Sequence, residues 1–514
     1  MRRLIAILCC MLCCWVGFAQ QHNQQQLEKL NQAFQYINNN YVDDLDLEPL
    51  VAEAIDSALK ELDPHSSYLS QEEFATMYEG IKGEFSGIGI NFITLRDTVI
   101  VTRILEGSPS QRAGLKKNDR ILSVNDTSLV GIKRSEATEL LRGAKGSIAT
   151  LSILRNGEII TADVKRDDIQ NSAIGAAFML SNNTAYVHVK SFLSKKTTEE
   201  FCNAVKNLSA KPDAIIVDLR GNVGGLLPSS IQFSELFLMR GDVIVAVENR
   251  KSTTSYQASK NGEYADIPVV VLIDEQTASA SEIVAGALQD HDRATIIGRR
   301  SFGKGLVQKL VKFKDDSGMK LTIARYKTPS GRVIQRPYTN GEREQYTKDT
   351  ERYSRRDTTN IPDSLIYTTL NLKRKVYGGG GISPDIYVEA DTTSLRPYTR
   401  IVLSNNLVQE VIVDVFDRTP FDFFYKLYPT LSIFSEAYTL DDESISLLNS
   451  LIEAIDTTAL DDAEGMVESL EIIKAQIAEE VYAPGSYFEL YGSKHDAALR
   501  EAMLVLEPKN LVGN

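Results

Sequence analysis

Cysteine, tryptophan and histidine are scarce in this chain, and each scarcity removes a class of chemistry. Of 5 cysteines and 1 tryptophan, Cys9, Cys10, Cys13, Cys14 and Trp15 fall in an apolar opening segment, which leaves Cys202 alone in the rest. A lone cysteine makes no intrachain disulfide and no cysteine-built metal site. It sits in Phe201-Cys-Asn-Ala-Val-Lys-Asn-Leu, on the apolar side of a helical pattern, and reads as a small core residue. No His-Glu-x-x-His, no calcium loop and no phosphate-cradling Gly-Lys-Ser/Thr occurs, so no metal and no cofactor are expected. Basic charge is in deficit: 56 Lys and Arg against 69 Asp and Glu give −13, which argues against a nucleic-acid partner. The opening run, basic at Arg2-Arg3, then apolar to a small-residue end at Ala19, reads as a secretory signal over 1–19. It is too short to span a bilayer comfortably, so membrane contact is expected to be peripheral at most.

What is present is enough for several modules, since 514 residues exceed one ordinary core. Residues 20–82 read as a helical segment. Leu27, Leu30, Phe34 and Ile37 recur at helical spacing, a second run covers Leu47 to Leu62, and Ser70-Gln-Glu-Glu opens a third helix after the break at Asp63-Pro-His-Ser-Ser-Tyr-Leu. From 83 to 167 the period becomes that of strands, with short helices at Ser108–Gly114 and Ser135–Leu141 and a turn at Asn156-Gly157. Residues 168–395 alternate buried strands with helices, an α/β pattern with a mixed sheet. Within it, 337–376 is polar and reads as a surface insertion. Residues 396–514 are mainly helical, with Met466, Leu470, Ile473, Ile477 and Val481 on one face.

Two segments carry chemistry. Ser279 follows the apolar run Pro268–Ile273 and precedes an amphipathic helix, a place that exposes a hydroxyl beside a helix N-terminus. The bland alternative is a helix cap, with Glu282 reaching back. Lys304 stands between Gly303 and Gly305, where Phe302, Leu306 and Val307 can bury its stem and dry its amine; otherwise it is a solvated loop residue. A neutral lysine amine can take a serine proton, which makes the pair a candidate Ser-Lys dyad. Gln308 can orient the amine, or is only a polar strand residue. The rival base is histidine. His291 lies at the far end of the helix that Ser279 opens, more than about 10 Å away, and His188 falls in a core strand. The loop Arg220-Gly-Asn-Val-Gly-Gly-Leu follows a second strand, and its backbone N–H groups, with that of Ala280, can form an oxyanion hole.

These segments also carry a family likeness. Gly87-Ile-Gly-Ile and Ser108-Pro-Ser-Gln-Arg-Ala-Gly-Leu resemble a PDZ domain, in which Gly87, Ile88, Gly89 and Ile90 would cradle a peptide's terminal carboxylate while the peptide adds as a strand. Thr277–Asp290, Gly298–Gln308 and Asp218–Gly225 resemble the carboxy-terminal processing peptidases, or tail-specific proteases. So do Leu62-Asp-Pro-His-Ser-Ser-Tyr-Leu69, Tyr326-Lys-Thr-Pro-Ser-Gly331 and Gly381-Ile-Ser-Pro-Asp-Ile386. The resemblance implies a multidomain α/β protein: a crotonase/ClpP-like mixed α/β protease core, a PDZ domain, an N-terminal helical segment and a C-terminal helical extension. It implies a serine endopeptidase with Ser279 as nucleophile, Lys304 as base and Gln308 assisting. The oxyanion hole would be backbone of Ala280 and of Gly224 or Gly225. Asp290 matches an acidic position that affects activity in some members and is read here as structural. The expected partners are protein or peptide substrates held by their C-termini, a second copy through the helical ends, and an activating adaptor; the expected location is the periplasm or envelope of a bacterium. The rival readings are a non-catalytic PDZ tail-binding adaptor and another acyl-transfer enzyme on a crotonase-like core.

Overall fold

The computed structural model describes residues 23–507, apart from Gly83, Arg96, Asn171, 349–360, 390–394, Pro420 and Ala483. The signal segment expected over 1–19 lies outside the described residues. The α/β core is built on a six-stranded sheet in the order Ile174–Leu180, Thr184–Val189, Ala214–Asp218, Val269–Ile273, Thr295–Gly298, Ile386–Tyr387. The first pair is antiparallel and the rest are parallel, which makes the sheet mixed. Val269–Ile273 is buried at every position, the signature of a central strand covered on both faces. The helix Ala280–Asp290 is buried along its whole length, and its small residues explain how. A Cβ on Gly286 would stand 2.9 Å from Thr328 Cγ2, so any larger residue would have to displace that methyl.

Not every core strand joins this sheet. Leu306–Lys312 and Gly318–Lys327 pair antiparallel in a second, five-stranded sheet with Ser67–Leu69, Val243–Asn249 and Thr253–Gln257. Ser67–Leu69, read from sequence as a break between helices, is thus an edge strand paired with Gly318–Lys320. The polar stretch 337–376 is more than a loose surface loop. Tyr346 is buried on the helix Arg343–Lys348, and Ile366–Thr368 pairs with Lys375–Tyr377.

The PDZ-like module, a six-stranded antiparallel sheet, keeps period-two burial. In Ile148–Arg155, Ala149, Leu151 and Ile153 face inward. After the turn at Asn156-Gly157, Glu158–Lys165 returns antiparallel along Ile148–Arg155. The chain enters and leaves it through Glu84–Gly87 and Asp167–Gln170, which pair with each other. The C-terminal extension is helical and has its own core, including Val411, Phe434, Leu448, Ile473 and Ile477. Its last helix, Ala497–Leu506, lays Ala498, Leu499 and Ala502 against Tyr186, Ile216, Val270 and Leu272 of the central sheet. Cys202 is partly buried and packs against the main core.

Candidate active site

Ser279 sits where a central strand turns into a buried helix. Its backbone, at φ 56° and ψ −113°, occupies a region that a residue with a Cβ seldom adopts. That strained turn is the geometry that lifts a hydroxyl clear of a sheet's carboxyl edge. Ser279 N–H donates to Glu282 Oε2 at 2.8 Å and Glu282 N–H donates to Ser279 O at 3.0 Å, so the cap closes on the serine backbone and not on its hydroxyl. The hydroxyl therefore remains available.

The neighbouring strand, Ala214–Asp218, delivers the glycine loop to the same edge. A Cβ on Gly224 would meet Ala278 O at 2.6 Å and Ala280 N at 2.9 Å, so the loop lies directly on the serine turn. Asn222 fixes it, donating to Val189 O at 2.8 Å and accepting from Gly224 N–H at 2.9 Å. Asn222 O in turn accepts from Ala278 N–H and the Ser281 hydroxyl, both at 3.0 Å. Gly224 N–H is thereby occupied, whereas the N–H groups of Gly225 and Ala280 carry no hydrogen bond among the described residues.

Lys304 reaches the site from the turn before Leu306–Lys312. Its amine donates to Gln308 Oε1 at 2.7 Å, and Gln308 Nε2 donates to His65 O at 2.8 Å. The carbonyl of His65 dictates which end of the amide faces the lysine. Burial, reinforced by the nearby Lys320 charge, pulls the Lys304 amine down to about 8. Ser279, Ala280, Gly224, Gly225, Lys304 and Gln308 all line one cavity of about 510 Å³, closed elsewhere by apolar groups such as Leu193, Leu227, Ile283, Leu306 and Met77.

The histidines lie elsewhere. His291 is within 2.7 Å of Val243 O, His188 within 3.4 Å of Arg220 O, and His65 Nε2 within 3.0 Å of the Tyr346 hydroxyl. Burial and the Lys304 charge hold the His65 ring down to about 3, so it is neutral. Asp290 is fully buried and pairs with Arg332 at 2.8 Å.

Comparison with known proteins gives the family. The profile for peptidase family S41 matches residues 183–342, that for a PDZ domain 86–165, and that for the activating protease CtpB N-terminal domain 17–73. A carboxy-terminal-processing protease of Bartonella bacilliformis is 35% identical across 62% of this chain and 74% of its own length. The chain belongs to peptidase family S41. A probable CtpA-like serine protease of Staphylococcus aureus is 33% identical across 64% of this chain, which spans 66% of that relative's length. A solved photosystem II D1 C-terminal processing protease covers 71% of the chain and is itself covered to 93%, at 24% identity and a TM-score of 0.36.

Two residues at this cavity were given no role in the sequence reading. Tyr326, fully buried, places its hydroxyl 3.0 Å from Ser279 O and 2.5 Å from Lys304 O. Lys320 lines the Ser279 cavity. Tyr326 opens the Tyr326–Gly331 stretch and Lys320 faces Leu310 across a hairpin, but neither stretch by itself shows that its side chain reaches the Ser279 turn. In the PDZ domain, the carbonyls of Ile88 and Gly89 accept from Ser110 and Leu105 N–H at 2.9 and 3.1 Å. The N–H groups of Ile88 and Gly89 have no partner among the described residues. Gly89, at φ 79°, would carry a Cβ 2.4 Å from Ser108 Cβ, so glycine is required there.

Proposed function

We propose that this chain is an exported serine endopeptidase that takes protein C-terminal tails on its PDZ domain and hydrolyses peptide bonds through an acyl-enzyme. The observation that carries the reading is a buried amine, pulled down to about 8, on the wall of the cavity that holds the strained Ser279. About a tenth of such amines are neutral at pH 7. Ser279 Oγ bonds to the scissile carbonyl carbon as neutral Lys304 takes its proton. The Lys304 ammonium then gives that proton to the leaving amine. Water, deprotonated by Lys304, adds to the ester carbonyl, and the Lys304 ammonium returns that proton to Ser279 Oγ as the ester bond breaks. Gln308 holds one amine hydrogen and so aims the lone pair away from itself. The oxyanion is received by the N–H groups of Ala280 and Gly225; Gly224 N–H, committed to Asn222, is set aside.

Gly87, Ile88, Gly89 and Ile90 hold the carboxylate of the tail in this reading, supported by the two N–H groups left open at Ile88 and Gly89. Residues 1–19 are the export signal, and the destination is the bacterial periplasm or envelope. Self-association through the helical ends is supported by the helix 23–40, which exposes Leu27, Leu30 and Ile37, a face too apolar to remain in water comfortably. The match of 17–73 to an activating protease's N-terminal domain supports a partner that switches the enzyme on.

The test is peptide turnover by Ser279→Ala and Lys304→Ala proteins of verified fold. Each should lower kcat/KM at least about a thousandfold. Unchanged turnover in Ser279→Ala would leave a tail-binding adaptor in place of a protease.

A further inference from the structure

The cavity beside Ser279 contains a second amine for which the mechanism above has no use. Lys320 and Thr322 lie on one face of their strand, opposite Leu310 and Gln308 respectively, which turns Lys320 toward the cavity that Leu310, Gln308, Lys304 and Ser279 line. Lys320 has no ion pair and its amine no hydrogen bond among the described residues.

The carboxylates that could neutralise it are committed. Asp63 accepts from His65 N–H at 2.8 Å, Ser66 N–H at 2.9 Å, the Ser66 hydroxyl at 2.6 Å and the Thr322 hydroxyl at 3.1 Å. Glu282 accepts from the Ser301 hydroxyl at 2.5 Å and from the N–H groups of Gly303, Lys304 and Ser279 at 2.7, 2.8 and 2.8 Å. Arg343 faces Lys320 as a further positive charge. The cavity thus holds a half-buried cation that Asp63 attracts only from a distance, with no ion pair among the described residues, and such a site favours an anion.

We propose that Lys320 is a specificity-determining residue that receives a carboxylate of the bound substrate, either the chain's terminal carboxylate or an acidic side chain near the scissile bond. The assignment rests on the protease reading. It adds to the PDZ site a second electrostatic check on the substrate, made inside the catalytic cavity.

The experiment is a cycle. Three peptides share one sequence: one with a free C-terminus and a glutamate near the cut, one amidated at the C-terminus, and one with glutamine in place of glutamate. Their kcat/KM values are measured with the unaltered protein and with Lys320→Met and Lys320→Arg. Any common effect on Lys304, and the loss of PDZ binding on amidation, cancel in the ratio of ratios. For the carboxylate that Lys320 receives, neutralising the peptide should cost the unaltered protein about tenfold more than it costs Lys320→Met, and Lys320→Arg should keep the discrimination. The arm that shows the coupling names the source of the carboxylate. Equal ratios in both arms would overturn the assignment while leaving the protease intact. Loss of all turnover in folded Lys320→Met and Lys320→Arg would overturn it too, because a specificity residue is not needed for every substrate. No turnover by the unaltered protein, with Ser279→Ala indistinguishable from it, would sink the protease reading as well.

Discussion

Ser279 and Lys304 are held in register by one atom, Glu282 Oε2, which accepts both of their backbone N–H groups at 2.8 Å. Glu282 Oε1 binds the Ser301 hydroxyl and Gly303 N–H, so the fully buried carboxylate has four donors and faces no acceptor. Burial pushes its pKa upward and the donors oppose that push. The Tyr326 hydroxyl repeats the link from the carbonyl side. Glu282→Gln turns an NH₂ toward donors on one side and leaves them buried without an acceptor. The expected result is a loss of about 3 kcal/mol from the peptidase core, read by calorimetry, together with a fall in kcat at little change in KM. A variant that kept full kcat would show that the link does not position the pair.

The pH profile follows from the lysine. Only the neutral amine accepts the serine proton, so kcat/KM should climb as pH rises and level off above about 8. The Lys320 charge is one cause of the low value, and removing it favours the charged form of Lys304. Lys320→Met should therefore move the rising limb to higher pH on every peptide. A limb that stayed put would place the titrating group elsewhere.

Gln308 allows a sharper test of the same amine. In Gln308→Ala, Lys304 loses a neutral acceptor at 2.7 Å, and the limb should shift little while kcat falls. In Gln308→Glu, a carboxylate takes that place and stabilises the ammonium, which carries the limb upward. Activity at pH 7 should fall about tenfold further in the glutamate variant than in the alanine variant, because each unit of pKa removes about a tenfold share of neutral amine. The reverse order would remove Gln308 from the lysine's environment.

Ser279 and Lys304 were legible as candidates because the signals that mark them are local. A serine between strand and helix, and a lysine between glycines, read from a few residues each. Glu282 was legible only by half: the reach back to Ser279 is a short-range helix-start pattern, but its bonds to Ser301, Gly303 and Lys304 come from a loop brought in by the fold. The same limit hid Ser67–Leu69, whose strand identity depends on Gly318–Lys320, and Lys320, whose surroundings come from two distant segments. The second antiparallel sheet was missed for this reason too, since strand periodicity carries no address for the partner.

The last prediction concerns how the PDZ domain is seated. Its basic edge meets the helical extension: Arg120 pairs with Asp417, Asn118 Nδ2 donates to Phe416 O at 3.3 Å, Arg103 donates to Glu479 O at 2.9 Å, and Lys117 donates to Glu480 O. The apolar part of this seam is small, Leu95 and Ile100 against Val413. A seam made mostly of half-exposed charge contributes about 0–1 kcal/mol per pair and weakens with salt. Asp417→Arg should therefore leave the melting of the core unchanged yet loosen the domain, seen as faster proteolytic cutting near the connecting strands Glu84–Gly87 and Asp167–Gln170 and as a larger radius of gyration. High salt should produce the same loosening in the unaltered protein, and the swap Arg120→Asp with Asp417→Arg should reverse it at low salt. If the radius and the cutting rate ignored both the substitution and the salt, the charges would not be what seats the domain.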